Sequence, residues 1–171
     1  SSVNLRADYG DASAVALARV AGLSVGVASV CGDITAVDCT KLASFIALCD
    51  AFSIPVVTLV NSNGFANSVD AEIGGISKSA AMLTKAYANV TTAKVAVITG
   101  NAFGAAFTAL AGKSSGADIV IALNDAVISP IAPDAAATIV YNDRILAGED
   151  KKTVFAEYIT DYASAEAAAK L

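Results

Sequence analysis

The sequence contains no histidine and no tryptophan, and only one methionine and three prolines among 171 residues. Without imidazole, Ser-His-Asp and Cys-His nucleophilic sites, His-ligated zinc and imidazole acid–base chemistry are all excluded. Catalysis by this chain must draw on carboxylates, Lys, Tyr or backbone dipoles, or leave proton transfer to a substrate or cofactor. Cysteine is scarce too: Cys31, Cys39 and Cys49 are odd in number and lack a CxxC spacing. They read as reduced structural thiols in a reducing compartment, neither a disulfide framework nor a zinc site. Lys and Arg total 11 against 16 Asp and Glu, for a net charge of −5, with no basic cluster. A nucleic-acid partner needs a basic stripe for counterion release, so the composition argues against one. No apolar run approaches the roughly 18 residues of a membrane span. No charged segment precedes an apolar one at the start. A soluble, cytoplasmic protein is expected.

What is present is apolar surface. Hydrophobic residues make up 56% of the chain and charged residues 16%. That suits one domain of ordinary size with a real core, and further burial against other subunits. The many alanines allow close helix–sheet contact.

Hydrophobic patterning divides the chain into alternating elements. Val15–Val20 and Leu23–Ser29 flank Ala21-Gly22 and read as a hairpin. Thr35 or Asp38 caps a helix running to Phe52, with Leu42, Phe45, Ile46, Cys49 and Phe52 near one face. Ile54–Val60 is a β-branched run suited to a strand covered on both sides. Asn61–Ser68 (NSNGFANS) is a dense turn signal, expected to be a loop that continues to Gly75. A second helix follows Gly74-Gly75 with Ile76, Ala80, Leu83 and Tyr87 inward. Val95–Thr99 is the next strand, ending at a loop over Gly100–Ala106, and Ala105–Ala111 reads as a helix. Asp118–Leu123 and Ala126–Ser129 read as strands, and Pro133–Tyr141, Lys151–Tyr162 and Ala163–Leu171 as helices. The order β-β-α-β-α-β-α-β implies a mixed α/β domain with a largely parallel sheet. The chain stops on AAAKL without a Gly or Pro stop signal, as expected of a fragment or a shortened subunit.

In such sheets ligands bind beyond the carboxyl ends of the strands. Two glycine-containing turns fall there, Gly74-Gly75 and Gly100–Ala106, each opening a helix. First-turn N–H groups lack intrahelical partners and favour negative charge. Two such turns facing one cavity would hold an oxyanion, each donor worth about 3 kcal/mol. The alternative is that small residues stand there only for close helix–sheet packing. A nucleotide site is a poorer fit, since Gly100-x-x-x-Gly104 is neither GxGxxG nor followed by GK[ST]. Asp118 and Asp134 read as turn or first-turn residues, Lys78 and Lys85 as solvated positions, and Tyr87 as core. Tyr141 fits either a structural or a functional role.

Three segments carry a resemblance: CDAFSIPVVTLVNSNGF (Cys49–Phe65), EIGGISKSAAMLTKAYANVTTAKVAVITGNAFGAAF (Glu72–Phe107) and GADIVIALNDAVISPIAPDAAATIVY (Gly116–Tyr141). In register, they resemble the carboxyltransferase component of biotin-dependent acyl-CoA carboxylases and the related decarboxylase α-subunits, from about Asn4 onward. The likeness is to the C-terminal half of such subunits. It implies a crotonase-like domain of repeated ββα units over residues 1–171, truncated at its C-terminus. It further implies transfer of a carboxyl group between carboxybiotin and an acyl-CoA, with the biotin enolate held by backbone amides. The missing histidine is then no obstacle, because biotin serves as base. By the same resemblance Ala105 and Ala106 carry the catalytic amides, and Gly74, Gly75, Phe103 and Gly104 build the cofactor pocket. The implied partners are a separate acyl-CoA-binding half, a biotin carrier protein and biotin carboxylase, in a homo- or hetero-oligomer. The family's usual Tyr-Gly-Gly-Ala-Tyr is here Phe103-Gly104-Ala105-Ala106-Phe107, and Asn101 stands where a basic residue is common. Two alternatives stay open: a non-catalytic assembly subunit, and a crotonase-like CoA-thioester binder.

Overall fold

A computed structural model describes residues 1–170. Strand β1 (Ser2–Leu5) pairs antiparallel with β2 (Ser13–Val20), which turns through Ala21-Gly22 into antiparallel β3 (Leu23–Ile34). From β3 onward the strands pair in parallel: β4 (Val56–Phe65), then β5 (Lys94–Phe103), then β6 (Ile119–Ala122). β7 (Val127–Ser129) continues beside the distal half of β5, completing a seven-stranded sheet. The short edge strand β1 was not legible as an element, because its four residues lie mostly in solvent.

Helix α1 (Ala36–Ala51) starts at a capping box: Thr35 Oγ1 accepts from the Asp38 N–H, and the Asp38 carboxylate accepts from the Thr35 N–H. Leu42, Phe45, Ile46 and Cys49 are buried as the spacing requires. Phe52 departs from that expectation and is 70% exposed. The helix ends at Ala51, so Phe52 leaves the helical register. After β4 comes a five-residue helix, α2 (Val69–Ile73), and then α3 (Ile76–Asn89), which packs on α1 with Ile76, Leu83 and Tyr87 inward. Tyr87 is core as expected, its hydroxyl 3.1 Å from that of Thr58. Helix α4 (Gly104–Ala111) follows β5 directly and packs on β4 and β5. Helices α5 (Pro133–Val140), α6 (Asn142–Leu146), α7 (Lys151–Tyr158) and α8 (Ala165–Ala169) close the chain. The five residues Ile159–Ala163 make a π-type turn, and Leu171 lies outside the described residues.

Two corrections concern the carboxyl edge of the sheet. The Asn61–Phe65 segment, expected as loop, belongs to β4 and pairs with β3 through Ile34↔Phe65. Likewise β5 does not stop at Gly100 but runs to Phe103. Neighbouring strands flank these segments on both sides, so the turn-forming residues make bulges instead of a loop. Among the described residues no helix is long and apolar enough to cross a membrane.

Candidate functional site

β4 leads through α2 to α3, and β5 leads into α4, so α3 and α4 both begin at the carboxyl edge of the parallel strands. The hinge is Gly104, not Gly100. Its φ of +61° lies in the left-handed region that side chains resist, and there the extended chain turns straight into a helix. A Cβ at Gly104 would sit 3.5 Å from the Pro130 carbonyl oxygen, so β7's trailing backbone covers the hinge closely.

Among the described residues no side chain caps α4; the residue at its cap position is Phe103. Among the same residues, the N–H groups of Ala105 and Ala106 therefore have no helical partner and no capping side-chain oxygen. The two alanines differ in their surroundings. Ala105 is exposed, whereas the Ala106 methyl is fully buried in the main core. A first-turn N–H points back along the axis, so burying the Ala106 methyl leaves the direction of its amide unchanged.

Beside this helix start lies a cleft of about 340 Å³, lined by Asn63, Asn101, Phe103, Val127, Pro133 and Phe155, among others. Its lining is mostly apolar, with the two asparagine amides and the Asp134 carboxylate as polar groups. Of the α4 start, Phe103 lines this cleft, whereas Gly104, Ala105 and Ala106 are not among its lining residues. α7 is held against this wall by a buried contact between the Ser129 and Tyr158 hydroxyls, 3.2 Å apart. That contact fixes Phe155 and Ile159, which line the cleft from α7 and the turn after it.

Gly74 and Gly75 are placed differently. The Gly74 N–H donates to the Asp70 carbonyl and that of Gly75 to the Glu72 carbonyl, both closing α2. Neither glycine lines the cleft. Their own amides are spent on a helix end, and the uncapped donors of α3 begin after them. Of the other candidates, Asp134 lies in the first turn of α5 and lines the cleft, Asp118 accepts from the Lys94 N–H at 2.7 Å, and Lys78 and Lys85 are exposed. Tyr141 is half-buried beneath the Arg144 guanidinium, 5.0 Å from its ring centre.

The residues missed by pattern reading are asparagines. Asn61 Oδ1 accepts from the Asn101 N–H at 2.9 Å, and Asn101 Nδ2 donates to Asn63 Oδ1 at 2.9 Å. The signal was present as an alternation, since Val60 and Ser62 are fully buried and Asn61 and Asn63 are not. The turn-forming character of the residues hid it.

Residues 3–170 match the family described as the carboxyl transferase domain. The chain belongs to that family. It is 35% identical over 170 residues to the methylmalonyl-CoA carboxyltransferase 12S subunit of Propionibacterium freudenreichii subsp. shermanii, covering 95% of this chain and 32% of that protein. It is 39% identical over 164 residues to the methylmalonyl-CoA decarboxylase subunit alpha of Propionigenium modestum, covering 90% and 31%. The fold matches the crystal structure of a transcarboxylase 12S hexamer with methylmalonyl-coenzyme A and methylmalonic acid bound. The TM-score is 0.91 at 30% identity, over 99% of this chain and 34% of that one. The chain thus spans about a third of the length of these relatives. The fold is crotonase-like, with ββα units at its start (β2, β3, α1) and end (β6, β7, α5) and simpler βα steps between.

Proposed function

We propose that this carboxyl transferase domain forms the biotin side of an acyl-CoA carboxyltransferase site. The uncapped start of α4 beside the cleft carries the reading. When bound, biotin on its carrier protein supplies the carboxyl group and the base, which accords with a chain that has no histidine. The chain's own part is electrostatic. The Ala105 and Ala106 amides donate to an oxygen that gains negative charge in the transition state, and the α4 dipole adds to their effect. These donors are already oriented, so no reorganisation accompanies the reaction. Phe103 forms an apolar wall, and Gly104, in the left-handed region, lets β5 turn directly into α4. Gly74 and Gly75 act by setting the start of α3, their own N–H groups being engaged.

The residues fit such a group because the donors are uncapped and the adjoining wall is apolar. In this reading residues 1–171 are one C-terminal half-domain. It acts with an acyl-CoA-binding half, a biotin carrier protein and biotin carboxylase, in a cytoplasmic oligomer.

The test replaces the Ala106 N–H by an oxygen and leaves both side chains in place: an ester linkage between Ala105 and Ala106, made with the α-hydroxy acid in place of Ala106. Carboxyl exchange from carboxylated biotin carrier to acyl-CoA, measured with the acyl-CoA half present, should fall by about 100-fold. Ala106→Pro deletes the same donor by conventional mutagenesis. Unchanged exchange in the ester variant overturns the oxyanion role. No exchange by the unaltered chain with any partner half would favour the assembly-subunit reading.

A further inference from the structure

The parallel ladder between β4 and β5 is regular from Val56↔Lys94 to Val60↔Ile98, then jumps to Ser62↔Ala102. One residue of β4, Asn61, therefore faces three of β5: Thr99, Gly100 and Asn101. A bulge of that size leaves backbone groups without ladder partners, and side chains replace them. Asn61 Oδ1 accepts from the Asn101 N–H at 2.9 Å, and Thr99 Oγ1 donates to the Val60 carbonyl at 3.3 Å. Asn61 Nδ2 donates to Cys31 Sγ at 3.6 Å, which sets the amide with its oxygen toward β5. Beyond it, Asn101 Nδ2 reaches Asn63 Oδ1 on the wall of the cleft.

Gly100 completes the arrangement from the other side. A Cβ there would stand 2.5 Å from Asn61 Oδ1 and 2.8 Å from its Cγ, a clash relieved only by moving the Asn61 amide out of its place on the bulge. Glycine at position 100 thus leaves room for the Asn61 side chain. The bulge in turn sets the path of Asn101–Phe103, and so where the amides of Ala105 and Ala106 emerge.

We propose that Asn61 is a positioning residue for carboxyl transfer, with Gly100 as its steric counterpart: its amide bridges the bulge and fixes the start of α4. The proposal rests on the oxyanion reading of α4, and its experiments separate the two. They use the complete polypeptide with its partners. Asn61→Leu keeps the shape but lacks the acceptor, Asn61→Asp keeps the acceptor, and Gly100→Ala displaces it. Hydrogen exchange followed by mass spectrometry should show faster exchange over residues 99–103 in Asn61→Leu and Gly100→Ala, and unchanged exchange in Asn61→Asp. In the transfer assay, Asn61→Leu and Gly100→Ala should each lower kcat about tenfold or more, with KM for acyl-CoA unchanged. A role in stability alone would instead lower the melting temperature and leave kcat per folded molecule intact. Adding Asn61→Ala to Gly100→Ala should cost less than the product of the single effects, because the clash partner is gone. Wild-type exchange in Asn61→Leu overturns the proposal, as does loss of protection in Asn61→Asp equal to that in Asn61→Leu. If the exchange pattern holds while Asn61→Leu and Gly100→Ala leave kcat unchanged, the bulge is bridged as described but does not govern transfer, and the positioning role fails. If the ester at Ala105–Ala106 is also without effect, the oxyanion reading itself fails.

Discussion

Asp38 shows how much one buried carboxylate can organise. It completes the capping box of α1 by accepting from the Thr35 N–H at 3.0 Å, and accepts from the Ser13 hydroxyl at 2.6 Å across 25 residues of sequence. Beside it the almost fully buried Lys41 ammonium donates to the Ser13 carbonyl at 2.6 Å, so α1 holds the start of β2 by two side chains. Asp38→Ala leaves the Ser13 hydroxyl and the Thr35 amide unpaired. It should cost about 2–3 kcal/mol in a denaturant titration, the sum of a lost cap and unsatisfied donors. The thiols divide by burial. Burial pushes Cys39 up to about 12, with Asp38 adding to the shift, and pushes Cys49 up to about 11, whereas Cys31 is exposed. Because the thiolate is the nucleophile, a thiol reagent near pH 8 should label Cys31 in the folded protein. Cys39 and Cys49 should react only after unfolding, as peptide mass spectrometry would read.

Between elements, α6 and α7 are joined by an ion-pair network as well as by packing. From α6, Arg144 donates to both Glu149 oxygens and to Glu157 on α7, while its guanidinium lies over Tyr141. Hydrogen bonding to Arg144 holds the Glu149 carboxyl below its ordinary value of 4.5. A carboxylate with a depressed folded value stabilises fully above its unfolded value, and that contribution is lost as pH falls through the folded one. The pairs are partly exposed and screened, so the effect is local and small. Exchange over residues 142–158, normalised to intrinsic rates, should accelerate relative to β4 as pH drops from about 6 to about 3. Arg144→Gln should remove that pH dependence. Equal acceleration in β4 would instead indicate global acid unfolding.

On the scale of the molecule, most of the buried apolar residues among those described fall into two clusters. The larger runs from Val15 to Ala126 and unites the sheet with α1, α3 and α4. The smaller contains Ala136, Ala137, Tyr158 and Ala163, with Val127, Tyr141 and Phe155 packed against it. One wall of the cleft, with Phe155 and Pro133, belongs to the small cluster's helices; the other, with Phe103 and Asn101, belongs to the large sheet. Local stability follows the number of buried apolar contacts. Native-state hydrogen exchange should therefore be slowest in β3–β5 and faster in α5 and α7. The site then lies between a rigid edge and a wall that opens at lower cost. Equal protection in both regions would contradict this division.

The sequence by itself determined the α/β class, the hairpin, the Thr35–Asp38 cap, the inward faces of α1 and α3, and a glycine-hinged helix after a buried strand. Each of these depends on residues near one another in the chain, where periodicity and capping chemistry act directly. It also led to the family, through motifs kept in register over most of the chain. Only the tertiary structure decided how far β4 and β5 run. Asn61–Phe65 and Gly100–Phe103 are turn-forming in isolation, and strand pairing on both sides absorbs them as bulges. It also decided that the hinge is Gly104, that the Gly74 and Gly75 amides are already spent, and that Asn61, about forty residues away in sequence, bonds to Asn101. Those outcomes depend on which strands become neighbours, a property of the folded sheet that no local stretch carries.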